Sequence, residues 1–153
     1  IRDVAPSRGL GDVYKRQYKE QVKELEKHSI AHFYGFQSDP RPFYIEADCI
    51  VLPSYHEGMS NVILEAAATG RPVITSNIPG CRESVENGKS GLLVEVKNKE
   101  MLYDAMKEML HCSREEREQM GQAGREKMER EFRKEVVVEK TVQSLREDEK
   151  RDF

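Results

Sequence analysis

Four apolar residues, Cys49-Ile50-Val51-Leu52, run without a break into Pro53. A short continuous apolar run, stopped by a residue that cannot donate to a ladder, reads as a strand buried on both faces of a parallel sheet. Parallel strands need crossover connections, so a helix should follow. Asn61 to Thr69 supplies it, with Val62, Leu64, Ala66, Ala67 and Ala68 for packing on a sheet and Gly70 as a left-handed stop. At 1.5 Å per residue such a helix is roughly 15 Å long. The fold class that follows is α/β, a Rossmann-like parallel sheet flanked by helices.

The same alternation continues downstream. Pro72-Val73-Ile74-Thr75 reads as the next strand and Asn77-Ile78-Pro79-Gly80 as a turn at the same sheet edge. Ser84 to Asn87 is predicted as one helical turn, and Gly88 and Gly91 frame a tight turn into Leu92-Leu93-Val94. Asn98 is placed to cap a helix through Leu102, Ala105, Met106, Met109 and Leu110. Ser113-Arg114-Glu115-Glu116 has the capping-box pattern and opens a charged helix through Met120, Gly124 and Met128 toward Phe132. A last helix over about 134–146 carries Val137, Val138, Thr141, Val142 and Leu145 on one stripe, and the residues from Glu147 read as a frayed end. Upstream, 18–28 has a thin amphipathic pattern, and Ile30 to Phe36 alternates apolar and polar residues as a short strand closing on Gly35 would. Phe43, Tyr44 and Ala47 fall at helical spacing behind Asp39, a plausible cap.

The loop between the first buried strand and its helix is the candidate ligand site. It reads Glu57-Gly58-Met59-Ser60-Asn61-Val62-Ile63-Leu64-Glu65, and in open parallel sheets ligands bind beyond the carboxyl ends of the strands. Backbone N–H groups of Gly58 to Asn61 at a helix N-terminus suit an anion such as a pyrophosphate. Glu57 and Glu65, flanking that tip, suit hydroxyls on either side of it. A nucleotide-sugar has that order of groups.

Composition narrows the classes. With 153 residues and 37% hydrophobic content the chain can bury one substantial core. A formal net charge of -3 and the lack of a basic, aromatic patch argue against nucleic acid. Cys49, Cys81 and Cys112 lack metal-type spacing and read as reduced thiols. No Asp-x-Asp motif occurs, so a metal-free site without cofactor is expected.

The stretch 47–94 carries a resemblance. Pro53-Ser54 before the loop, Glu57-Gly58 within it, Gly70-Arg71-Pro72-Val73-Ile74 after the helix and Gly91-Leu92-Leu93-Val94 beyond surround a paired glutamate, Glu57-x7-Glu65. This closely resembles the family-four retaining glycosyltransferases (glycosyl transferases group 1). The resemblance implies the C-terminal, donor-binding half of a two-domain GT-B architecture, truncated at its N-terminus. It further implies that Glu65 holds the ribose diol, that Glu57 touches hexose hydroxyls near the anomeric carbon, and that Gly58, Met59, Ser60, Asn61 and Val62 line the diphosphate. Gly35 and Phe36 would lie near the nucleobase, although Phe36 reads equally well as a core or rim aromatic. The donor would be a UDP-hexose or UDP-N-acetylhexosamine, and the acceptor a glycan or lipid-linked glycan in cell-surface polysaccharide synthesis. The location would be cytoplasmic, at the inner membrane face only through an N-terminal half. The last helix would reach back toward that half.

Several readings compete. His56 is a sugar contact or a rim residue, Glu83 belongs to the family's loop or merely caps the next turn, and Asn61 contacts phosphate or completes a cap network with Ser60. Two carboxylates could also serve as the acid and nucleophile of a glycosidase, but a phosphate explains the loop between them better. A nucleotide-sugar-binding subunit acting with a separate acceptor-binding chain is the alternative to an enzyme.

Residues 1–17 lack hydrophobic periodicity, and Pro6-Ser7-Arg8-Gly9-Leu10-Gly11-Asp12-Val13-Tyr14-Lys15-Arg16-Gln17 resembles translated adaptor sequence at the edge of a gene call. They are set aside as a non-native leader, leaving a partial donor-binding domain at 18–132 and a C-terminal helix and tail at 133–153. The family's arginine and lysine for the pyrophosphate have no match before Tyr18, so this polypeptide alone is expected to lack transfer activity.

Overall fold

The computed structural model describes residues 19–149, and the expectations for 1–17 lie outside the described residues. Contacts divide the chain into two units, 1–42 and 43–153.

In the first unit, α1 (Lys19–Lys27) ends before Ser29, which has φ +54°. The strand predicted at 30–36 does not form. Ile30 and Phe36 are 68% and 78% exposed, and no ladder partner pairs with this segment among the described residues. Alternation stabilises a strand only when an edge is paired and one face is covered. α2 (Arg41–Glu46), which runs from the end of the first unit into the second, begins where predicted: the Asp39 carboxylate accepts from the Arg41 backbone N–H at 3.1 Å.

The second unit holds a three-stranded parallel sheet in the order β1 (Ile50–Leu52), β2 (Val73–Ser76), β3 (Gly91–Val94). Ile50 lies opposite Val73, and Val73 opposite Gly91. Side chains alternate between the faces as the period of two requires. Ile50, Leu52, Val73 and Leu93 pack with Ile63 and Ala66 of α3 (Asn61–Ala68), whereas Val51, Ile74, Leu92 and Val94 pack with Ala105 and Met109 of α4 (Lys99–His111). β1 departs from the expectation of burial on both faces, because all three of its residues are half-buried. It ends the ladder among the described residues, so only β2 covers one of its edges.

α3 packs through Ile63, Ala66 and Ala67, a narrower stripe than predicted, with Ala68 exposed. It closes on Gly70 (φ +72°) through two bonds, Gly70 N–H to the Ala67 carbonyl at 2.9 Å and Arg71 N–H to the Ala66 carbonyl at 3.1 Å. Against this end lies α5 (Arg114–Glu131), and a Cβ at Gly121 would stand 1.9 Å from the Gly70 carbonyl oxygen. The approach explains a helical glycine that otherwise weakens α5 by about 1 kcal/mol. Two further predicted caps are present: Asn98 Oδ1 accepts from Met101 N–H at 2.9 Å, and Ser113 and Glu116 form a reciprocal capping box. The turn predicted at 84–87 lies earlier, as a 3₁₀ turn at Arg82–Ser84. α6 (Lys134–Glu149) extends beyond the prediction and exposes Val137, Val138, Val142 and Leu145.

Candidate functional site

The loop 53–60 leaves the carboxyl end of β1 and delivers the N-terminus of α3, so the sheet itself sets the location of the site. Glu57 is half-buried and its Oε1 accepts from Ser54 Oγ at 2.8 Å. That bond holds one carboxylate oxygen and leaves the other available. His56 and Tyr55 are exposed beside it.

The loop is clamped from the opposite side by residues 78–84. Ser60 N–H donates to the Gly80 carbonyl at 3.1 Å, and Gly80 N–H donates to Glu83 Oε2 at 2.7 Å. Ser84 Oγ reaches the Met59 sulfur at 3.7 Å. Gly80 has φ +86°, and a Cβ there would stand 1.5 Å from the Gly58 carbonyl oxygen. Glycine is needed at this position for both reasons. Glu83 thus resolves to a pin that holds the second loop against the first, with Arg82 Nε 3.6 Å from its other oxygen.

Ser60 departs in one respect from the expectation that all the amides of Gly58 to Asn61 face a ligand. Its N–H is already committed to Gly80, and the residue is 3% exposed. Its carbonyl accepts from Ile63 and Leu64, both at 3.1 Å, while its hydroxyl makes no capping bond. The amides of Asn61 and Val62, at the first two helical positions, have no intrahelical acceptor. These two donors and the helix dipole form the electropositive element of the tip. Asn61 is exposed and Val62 half-buried, while Gly58 and Met59 are exposed on the approach. Glu65, one turn further on, is exposed, and Tyr44 lies beside it. Gly35 (φ +65°) and Phe36 belong to the first unit.

Beneath the loops Cys81 is fully buried. Burial pushes its thiol up, the Thr75 hydroxyl works against that, and the Glu57 and Glu83 carboxylates add to it. A thiol in that state is a core residue and a poor nucleophile. Burial likewise pushes Cys49 up to about 12. A shallow depression of about 570 Å³ along α5, lined by Glu115, Glu118, Gln122 and Glu126, shares no residue with the α3 tip. Its acidic lining is unsuited to a diphosphate. No helix among the described residues is long and apolar enough to cross a membrane.

Sequence reasoning missed Gly80, which acts through a contact with Gly58, 22 positions away, that no local pattern announces.

Comparison with known proteins identifies the family to which this sheet and its loops belong. Residues 9–127 match the family described as Glycosyl transferases group 1. The chain belongs to that family. It is 31% identical over 137 residues to the lipopolysaccharide core biosynthesis glycosyltransferase LpsE of Rhizobium meliloti, covering 89% of this chain and 40% of LpsE. Among solved structures, sucrose-phosphate synthase from Thermosynechococcus elongatus superposes with a TM-score of 0.77 at 27% identity, over 95% of this chain and 37% of that one. HepE from Anabaena in complex with UDP superposes with a TM-score of 0.79 at 20% identity, over 92% and 38%. The fold is that of the C-terminal domain of GT-B glycosyltransferases. The chain spans well under half the length of these relatives.

Proposed function

We propose that this chain is the donor-binding part of a retaining glycosyltransferase of family four, holding a nucleotide diphosphate sugar across the tip of α3. The Asn61 and Val62 amides receive the diphosphate above the buried Ser60, with Gly58 and Met59 lining its approach. Glu65 accepts from the ribose diol and Glu57 from hexose hydroxyls, its geometry held by Ser54. The donor is a UDP-hexose or UDP-N-acetylhexosamine, supported by the UDP complex of HepE. The acceptor is a glycan or lipid-linked glycan, supported by the polysaccharide role in the name of LpsE.

In the reaction the acceptor hydroxyl attacks the anomeric carbon on the face from which the diphosphate departs. The C1–O bond breaks with its electron pair leaving on the diphosphate, which also takes the acceptor's proton. The charge that develops on the diphosphate is what the α3 tip stabilises, because its donors are already oriented before reaction. Glu57, on the hexose side, steadies the sugar as positive charge grows at the anomeric carbon.

The observation that carries this reading is one arrangement: a loop clamped at Ser60 and Gly80 that presents the uncapped amides of α3 between two carboxylates, one of them pinned by Ser54. The test is thermal unfolding with and without UDP. UDP should raise the Tm of the chain, Glu65→Ala should remove most of that rise, and Glu108→Ala, on α4, should leave it intact. Equal effects from the two substitutions would refute the assignment.

A further inference from the structure

A diphosphate at the α3 tip carries more negative charge than the tip balances. A helix N-terminus amounts to roughly half a positive elementary charge, and the side chains around this one are acidic. Over 53–69 and 77–84, the stretches that build the tip and its clamp, Glu57, Glu65 and Glu83 are the carboxylates and Arg82 is the only lysine or arginine. An anion held there calls for a cation, and the clamp loop carries one.

The backbone of Arg82 is fixed while its head group is not. Its N–H donates to the Ile78 carbonyl at 3.0 Å, Cys81 N–H donates to the same carbonyl at 3.2 Å, and Ile78 packs against the cluster of Ile63, Val73 and Val85. The guanidinium is half-exposed, and it faces Glu83 with Nε 3.6 Å from Oε1. That separation is too long for a hydrogen bond, and a loose, half-exposed ion pair contributes little. Glu83 joins this head group to the clamp. Its Oε2 accepts from Gly80 N–H at 2.7 Å, and the Gly80 carbonyl in turn accepts from the Ser60 amide at 3.1 Å. The guanidinium thus stands beside the loop that delivers the α3 tip, with its donors largely uncommitted.

We infer that Arg82 binds the diphosphate of the donor: its guanidinium turns from Glu83 to the phosphate oxygens, which its planar fork of donors matches in pairs. The inference rests on the donor site proposed above. Glu83 then has two tasks, one oxygen fixing Gly80 and the other holding Arg82 near the tip until a donor arrives. An arginine kept only as a solvated surface charge would leave nucleotide affinity unchanged when it is removed.

The test is calorimetric titration of this chain with UDP and with GDP, as wild type, Arg82→Ala, Arg82→Lys, Glu83→Gln and Arg125→Ala. The last removes an equal charge from the exposed face of α5 and should bind as wild type does. Arg82→Ala is expected to weaken nucleotide binding about tenfold or more, the range of a lost bond between charged groups, with Tm unchanged. Arg82→Lys keeps the charge without the fork and should lose about threefold. Glu83→Gln keeps an oxygen for Gly80 N–H and removes the competing charge, so it should tighten binding by about two- to fivefold. Weaker binding in that variant would overturn the part given to Glu83. Wild-type affinity in Arg82→Ala, or a loss no greater than that of Arg125→Ala, overturns this inference alone. If the wild type binds neither nucleotide, the donor assignment falls and takes this inference with it.

Discussion

Replacing Gly80 by alanine tests the clamp on which the site depends. A methyl group at this position would stand 1.5 Å from the Gly58 carbonyl oxygen, 2.6 Å from its carbon and 2.8 Å from the Glu57 carbonyl oxygen. All three are backbone atoms, so no side-chain rotation relieves the overlap. The φ of +86° adds about 1–2 kcal/mol for a residue with a Cβ. Separating the loops also loses the Ser60 N–H bond to the Gly80 carbonyl, about 1 kcal/mol. Together with strain that separation only partly relieves, the loss is about 3–5 kcal/mol. Against a total stability of about 5–15 kcal/mol this is a large share. Gly88→Ala is the matched control, since Gly88 has φ +75° and nothing within 4 Å of its Cβ direction. It should lose only the conformational part, about 1–2 kcal/mol. Thermal melts followed by circular dichroism should then show a fall of about 10 °C for Gly80→Ala and about 3–5 °C for Gly88→Ala. Equal falls would refute the contact between the two loops as a determinant of the fold.

Two further substitutions probe α5. Gly121→Ala should cost about 2–4 kcal/mol because its methyl group meets the Gly70 carbonyl oxygen at 1.9 Å, whereas Gly124→Ala, with neighbours at 3.6 Å, should be neutral or stabilising by up to about 1 kcal/mol; urea titration of both variants checks the opposite signs. At the start of the same helix the Ser113 backbone N–H, followed by its hydroxyl, holds the Glu116 carboxyl below the usual carboxylate range. A depressed folded value means that the stabilisation is present above the unfolded pKa of about 4.3 and is lost as pH falls through the folded one. Glu116→Gln should therefore lower Tm at pH 7, and the gap from wild type should close below about pH 4 in melts across that range.

The parts legible in the sequence were those written in local signals. Pro53 and Gly70 bracket a strand-to-helix unit at the predicted place, and Asn98 and Ser113 cap the helices they were expected to cap. Each depends on residues within a few positions of one another. Ile30 to Phe36 shows the limit: its alternation suits a strand, but pairing is decided by a partner that the segment itself does not specify. β1 likewise has the composition of a fully covered strand, yet coverage depends on what lies at its open edge. At the site, the acidic pair and the loop between them were visible as a motif. Ser60 was not visible as a residue with a committed amide, because its acceptor comes from a loop 20 positions later. Glu83 was ambiguous for the same reason, and only the bond from Gly80 assigns it to holding the loop.

The double tether between residues 58–60 and 80–84 has a kinetic corollary. A diphosphate-binding loop that must order itself around each incoming donor slows capture and spends affinity on lost freedom. Here the amide of Ser60 and the sulfur of Met59 are already engaged by the neighbouring strand's loop. On the function proposed above, association at this tip is limited by encounter and desolvation, and differences in how long related donors reside should arise chiefly from the sugar and ribose contacts on either side.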